Sequence, residues 1–175
     1  QILETGVPVV IALNMMDEAE ARGDRIHVEK LSQLLGVPVV PIVARKGKGV
    51  QELMEKAAEA ARMKKTPQKL PVFDEKLNAA LEEAAELLEK AGETDSGWKA
   101  VKLLEHDEKV EEEITDELKQ KAEEITAWLY GAGTDLEAEI ADQRYRYIAK
   151  LVKETVKKGK SGHTETASDK IDKIL

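Results

Sequence analysis

Two short stretches of this chain bring together residue types that can read the edge of a nucleobase. The first is Asn14-Met15-Met16-Asp17, directly after the apolar run Val7-Pro8-Val9-Val10-Ile11-Ala12-Leu13. A carboxylate at Asp17 can accept two adjacent N–H donors, the pair that guanine presents as N1–H and its exocyclic amine and that adenine lacks. The amide of Asn14 can pair with the other side of such a base or brace the loop. Met15 can lay its flexible side chain on the base face. A plainer alternative exists: Asn and Asp both cap helix N-termini well, and Asn-x-x-Asp is common by chance.

The second stretch is Val43-Ala44-Arg45-Lys46-Gly47-Lys48-Gly49, at the end of another apolar run over residues 37–43. The small Ala44 lets the backbone approach a ligand, and its N–H can donate to a base oxygen. Arg45, Lys46 and Lys48 otherwise read as solvated loop cations, and the two glycines turn the chain into a helix. In open α/β sheets ligands bind beyond the carboxyl ends of the strands. Two such loops on consecutive parallel strands therefore make one site.

The elements that must position these loops are legible. Gly6-Val7-Pro8-Val9-Val10 recurs as Gly36-Val37-Pro38-Val39-Val40, at the spacing of one βαβ unit. Both runs, 7–13 and 37–43, are apolar without alternation, as strands buried on both faces of a parallel sheet are. Helical stretches over 17–22 and 28–35 lie between them, broken at Gly23, and an amphipathic helix begins at Val50. Residues 1–64 thus read as an α/β unit with two parallel strands. Residues 65–72, with Pro67 and Pro71, read as a linker. Beyond it no strand signal is found, and residues 73–158 read as an all-α helical bundle. Phe73, Leu77, Trp98, Leu104, Leu118, Ile125, Leu129, Tyr147 and Leu151 are expected to pack mainly with one another. Its longest helix is expected to run to about Lys158, followed by a polar stretch and a terminal helical turn over 159–175.

Composition narrows the function. The 175 residues carry a net charge of −8, which argues against nucleic acid as a partner. Aromatics make up only 3%, so a thin, alanine-rich helical core is expected. The absence of cysteine removes disulfides and thiolate chemistry. The longest apolar run is too short to cross a bilayer, and there is no secretory signal. His27, His106 and His163 are scattered; Asp24-x-x-His27 alone has a metal-like spacing, and no metal site is assigned. Gly159-Lys160-Ser161 imitates the end of a phosphate loop, but Glu154 stands where its first glycine belongs. The chain starts at Gln1 in what reads as the tail of a helix, and is taken for a fragment.

The two loops resemble the fourth and fifth guanine-recognition motifs of small G proteins. More closely, Val9-Val10-Ile11-Ala12-Leu13-Asn14-Met15-Met16-Asp17-Glu18-Ala19 is similar to the ferrous iron transport protein B family. So are Leu34-Leu35-Gly36-Val37-Pro38-Val39-Val40-Pro41, Ala44-Arg45-Lys46-Gly47-Lys48-Gly49, Ile140-Ala141-Asp142-Gln143-Arg144-Tyr145 and Ser168-Asp169-Lys170-Ile171-Asp172. The resemblance implies the trailing part of a Ras-like G domain followed by a helical spacer, on the cytoplasmic side of a prokaryotic inner membrane. It implies GTP or GDP as ligand, with Asn14, Met15, Asp17, Val43, Ala44 and Arg45 around the base, and an iron-conducting membrane domain of the same protein as partner. Val43 departs from the pattern, since many relatives carry Ser or Thr there. The family's phosphate loop, switches and magnesium ligands are expected upstream of Gln1. The intact relative would then be a GTPase and this chain inactive, with the outer edge of the 7–13 strand free to self-associate. The rival reading is a non-catalytic helical adaptor with a vestigial α/β cap.

Overall fold

The computed structural model describes residues 1–64, 66–131 and 133–159. His163, the Ser168–Asp172 motif and the expected terminal turn lie outside them.

The α/β half begins with a 3-10 turn, Ile2–Thr5, closed by Gly6 in the left-handed conformation. Strand β1 (Ile11–Leu13) leads into helix α1 (Met16–Ala21). A two-residue strand β2 (Arg25–Ile26) and helix α2 (Val28–Leu35) follow. Strand β3 (Val39–Pro41) then pairs in parallel with β1, with Ile11 opposite Val39 and Leu13 opposite Pro41. Helix α3 (Val50–Met63) completes this half.

Both main strands are shorter than the apolar runs that announce them. Pro8 and Pro38 lack a donor at the start of each run, and β1 has one neighbour only among the described residues. Burial on both faces holds for one strand and not the other. Val37, Val39, Val40, Ile42 and Val43 are buried, whereas Ile11 and Leu13 are half-buried and Ala12 is exposed. Both strands have a single strand neighbour among the described residues, and the difference comes from α2, which packs on β3.

In the helical half, α4 (Glu75–Lys90), α5 (Ser96–Leu104), α6 (Glu108–Glu113), α7 (Asp116–Tyr130) and α8 (Leu136–Thr155) follow in order. Three of their starts are capped by side chains. Asp74 accepts from the Leu77 N–H, Thr115 from Leu118 and Asp135 from Ala138, each worth about 1 kcal/mol. The core is one cluster built on Leu77, Ala80, Leu88, Leu104, Leu118 and Ile140, with Phe73, Ile125 and Leu129 packed against it. Truncating fully buried Leu77 to alanine would cost roughly 2–5 kcal/mol.

Two expectations are corrected here. Trp98, Tyr147 and Leu151 do not join that cluster. The later turns of α8 lie along α2 instead, where the Tyr147 hydroxyl donates to the Leu34 carbonyl at 3.4 Å. Nor is the second half free of strands. Helix α8 ends at Thr155, and β4 (Val156–Lys157) pairs antiparallel with β2, Arg25 opposite Lys157. The His27 N–H donates to the Thr155 carbonyl at 2.8 Å, and the Gly159 N–H to Asp24 Oδ1 at 3.0 Å. Two-residue strands carry too little pattern to be read in advance; only their partner defines them.

Candidate base-recognition site

The two loops singled out from the sequence meet at the carboxyl ends of β1 and β3. The Ile42 N–H donates to the Leu13 carbonyl at 2.8 Å, so the ladder runs to the last residue of β1. Asn14 follows immediately. Its Oδ1 accepts the Ala44 N–H at 3.1 Å and ties one loop to the other. Met15 then takes a left-handed backbone, φ 63°, and its side chain is 53% exposed. That conformation is uncommon for a residue with a Cβ, and it turns the chain so that α1 starts at Met16.

Capping is not what Asn14 does. The residue flanking α1 is Met15, and no side chain caps that helix. Asp17 lies inside the first turn, where the positive end of the helix dipole favours a carboxylate. Its Oδ2 is 2.8 Å from Arg45 Nη2 and 2.8 Å from Lys46 Nζ, and its Oδ1 accepts from the Glu18 N–H at 3.1 Å. The hydrogen bonds from Arg45 and then Lys46 hold its carboxyl well below the usual carboxylate range. The same contact raises Arg45.

The second loop is built on Val43, which is buried and whose N–H donates to the Lys48 carbonyl at 3.0 Å in an isolated bridge. Burial accounts for an apolar residue at this position: the Val43 side chain belongs to the core and not to the site. Ala44–Lys46 form a 3-10 turn closed by Gly47 in the left-handed conformation. Gly49, φ 77°, is sterically required, since a Cβ there would stand 2.4 Å from the Pro41 carbonyl oxygen.

The structure therefore brings Asn14, Asp17, Ala44 and Arg45 together, leaves Met15 open beside them, and puts Val43 behind them. The Ala44 N–H, expected to face a ligand, is donated to Asn14. Lys46 was missed as a partner of Asp17, because three cations in a five-residue loop carry no sequence mark of which one turns inward. Among the described residues there is no cluster of three His, Asp or Glu that could hold a metal ion. No described helix is long and apolar enough to cross a membrane.

Known proteins supply a frame for this geometry. A family model described as Ferrous iron transport protein B matches residues 1–57, and one described as FeoB cytosolic helical domain matches residues 73–157. The Fe(2+) transporter FeoB of Legionella pneumophila is 33% identical over 177 residues, covering 100% of this chain and 22% of the relative. That of Escherichia coli is 32% identical over 174 residues, covering 98% and 22%. An Fe(2+) transport protein A/Fe(2+) transporter FeoB fusion protein of Porphyromonas gingivalis is 32% identical, also covering 22% of its own length. Among solved structures, a mutant NFeoB of S. thermophilus bound to GDP superposes with a TM-score of 0.76 at 33% identity, over 89% of this chain and 61% of that one. The cytosolic domain of L. pneumophila FeoB gives 0.73 at 31% identity, over 90% and 60%. The chain thus spans about a fifth of its full-length relatives. Its two parallel strands and helical region correspond to the trailing part of their G domain and to their cytosolic helical domain, and the chain belongs to the ferrous iron transport protein B family.

Proposed function

We propose that residues 1–64 form the base-reading wall of a GTP/GDP site and residues 73–158 the helical spacer that links it to an iron-conducting membrane domain. The observation that carries this is the Asn14–Ala44 hydrogen bond. It fixes the Asp17 carboxylate and the 43–49 loop side by side at the ends of adjacent parallel strands. A guanine seated there offers Asp17 two N–H donors in exchange for the two cations that now hold it. Met15 is free to cover one face of the ring, and Arg45, once released, lies at the rim. Named relatives support the ligand: S. thermophilus NFeoB is described bound to GDP and to GMPPNP.

None of the 175 residues forms a Gly-x-x-x-x-Gly-Lys-Ser/Thr phosphate loop. Phosphate and magnesium contacts, and with them GTP hydrolysis, need residues other than those of the two loops. The chain by itself then binds guanine nucleotide no tighter than roughly millimolar, worth about 4 kcal/mol.

The test is Asp17→Asn in a form extended to the length of the homologous cytosolic domains. Guanine nucleotide should weaken and xanthine nucleotide, which carries a carbonyl where guanine has its amine, should gain. One observation favours a second reading. An Asp17 already neutralised by Arg45 and Lys46 suits a loop that holds no ligand, as in a helical adaptor with a vestigial α/β cap. Unchanged base preference in the Asp17→Asn form would decide for that adaptor.

A further inference from the structure

On the helical half, the first turn of α4 meets the last turn of α7, where Lys76 Nζ lies 4.1 Å from the centre of the Tyr130 ring. Between the two helices runs an open groove of about 420 Å³. Its lining is periodic. Helix α4 contributes positions i, i+3, i+4 and i+7 from Glu83 to Lys90, and α7 contributes the same set from Lys121 to Trp128. Each helix therefore turns one face into the groove. Leu87 and Ile125 form the floor and rest on the core cluster. Trp128 forms a wall and is 80% exposed, more than any other large apolar residue described.

The charges around this apolar strip are unequal once internal pairs are removed. Lys90 is taken by Glu86 at 3.3 Å, and Lys121 by Glu117 at 2.7 Å. Glu83 and Glu124 have no cationic partner among the described residues; Glu124 accepts only from Gln120 Nε2 at 3.3 Å. The groove thus presents an indole, two aliphatic contacts and two uncompensated carboxylates. Its walls are helices whose backbone donors and acceptors are already paired, so it offers no edge to an extended strand. A helix, which brings its own backbone bonds, fits.

We propose that the α4–α7 groove is a docking site for a basic amphipathic helix of a partner protein. Apolar residues of that helix cover Trp128, Leu87 and Ile125, and its Lys or Arg side chains meet Glu83 and Glu124. Tryptophan is over-represented among residues that dominate binding energy, and a solvated indole over an aliphatic floor is what such a partner would desolvate. This site is independent of the nucleotide reading.

The experiment uses the full chain carrying Trp98→Phe, so that Trp128 alone reports. The probe is a synthetic 14-residue helix of Leu and Lys, compared with its Leu and Glu counterpart. The basic probe should bind saturably and shift Trp128 emission to the blue. Glu83→Lys with Glu124→Lys should weaken it at least tenfold, whereas the same charge change at Glu20 and Glu29 should not. Trp128→Ala, followed by anisotropy of a labelled probe, should also weaken it about tenfold. Circular dichroism establishes that each variant is folded. Equal binding of the acidic probe, or equal loss from the remote charge change, would overturn the proposal. So would a blue shift on raising the protein concentration alone, which would make the groove an interface between copies of this chain.

Discussion

Arg144, on α8, holds Glu4, in the turn before β1, with Nη2 2.6 Å from Oε2. The same guanidinium pairs with Glu105 at the end of α5 and lies 5.8 Å from the Phe73 ring. Glu105 in turn pairs with Lys102 at 3.0 Å. The segment that enters β1 is thereby fastened to α8 and, through Arg144, to the end of α5. The Arg144 and Glu4 side chains are 12% and 19% exposed, so solvent screens the pair only partly. Arg144→Ala should cost roughly 2–4 kcal/mol, because it strands a half-buried carboxylate.

The pH dependence of that link has a definite sign. Burial pushes the Glu4 carboxyl up, the hydrogen bond and charge of Arg144 pull it down, and the net direction is down. A carboxyl lowered by folding adds stability above its unfolded pKa of about 4.3, and loses it as pH falls through the lower folded value. The melting temperature should therefore fall below about pH 4.5 by a step that Glu4→Gln removes. A thermal melt series from pH 6 to pH 3 on both forms measures it. An identical acid profile in the two would place the step elsewhere.

The helical half, residues 72–158, should fold when cut out of the chain on its own. Its core cluster from Leu77 to Ile140 draws no residue from the α/β half. Excision also removes Glu4, β2 and α2, and so exposes Tyr147 and Leu151. A cooperative helical melt is expected, at a temperature below that of the whole chain. A gradual loss of ellipticity without a midpoint would mean that the halves are one folding unit.

How much of this was legible depended on whether the signal was local. The helix over Val28–Leu35 and the loops after Leu13 and at Ala44 follow from neighbouring residues, and they stand where the sequence places them. The β2–β4 pair joins Arg25 to Lys157 across most of the chain, and neither strand has a periodicity of its own. Tyr147 and Leu151 share an apolar stripe with Ile140, yet the stripe serves two neighbours: its first turns enter the bundle core and its later turns meet α2. Periodicity states that a face is buried, not against what. The ion pairs on Asp17 were hidden for a similar reason, since loop cations are chosen by geometry.

Gly49 gives a sharp test of the loop geometry. Any side chain there must carry φ near 77° and also displace the Pro41 carbonyl, 2.4 Å from the added Cβ. Gly49→Ala should destabilise the chain by about 2–4 kcal/mol, more than left-handed strain alone. It should also raise amide exchange at Val43, whose N–H donates to Lys48 at 3.0 Å. Gly47→Ala shares the positive φ but meets nothing within 4 Å, so it should cost only about 1 kcal/mol. Equal losses at the two positions would show that the clash with Pro41 is relieved by movement.

The last prediction concerns the outer edge of β1. Ile11 and Leu13 direct their ladder bonds to β3, through Ile11 N–H to the Pro38 carbonyl and the Leu13 carbonyl to the Ile42 N–H. In a parallel ladder the intervening residue faces the other way, so Ala12 presents its N–H and C=O outward. No described strand receives them. The stretch Val9-Val10-Ile11-Ala12-Leu13 carries no charge, and Pro8 blocks only the first donor. An uncharged, unpaired edge recruits another chain, and a two-stranded sheet is marginal alone. This chain is therefore expected to self-associate through β1, antiparallel, because a two-fold axis makes both edges equivalent. Light scattering over a concentration series should show dimers that dissociate on dilution. Ile11→Lys should shift that equilibrium at least tenfold toward monomer, and the same substitution at exposed Met54 on α3 should not. A monomer at every concentration, or equal effects of the two lysines, would remove the β1 edge as the contact.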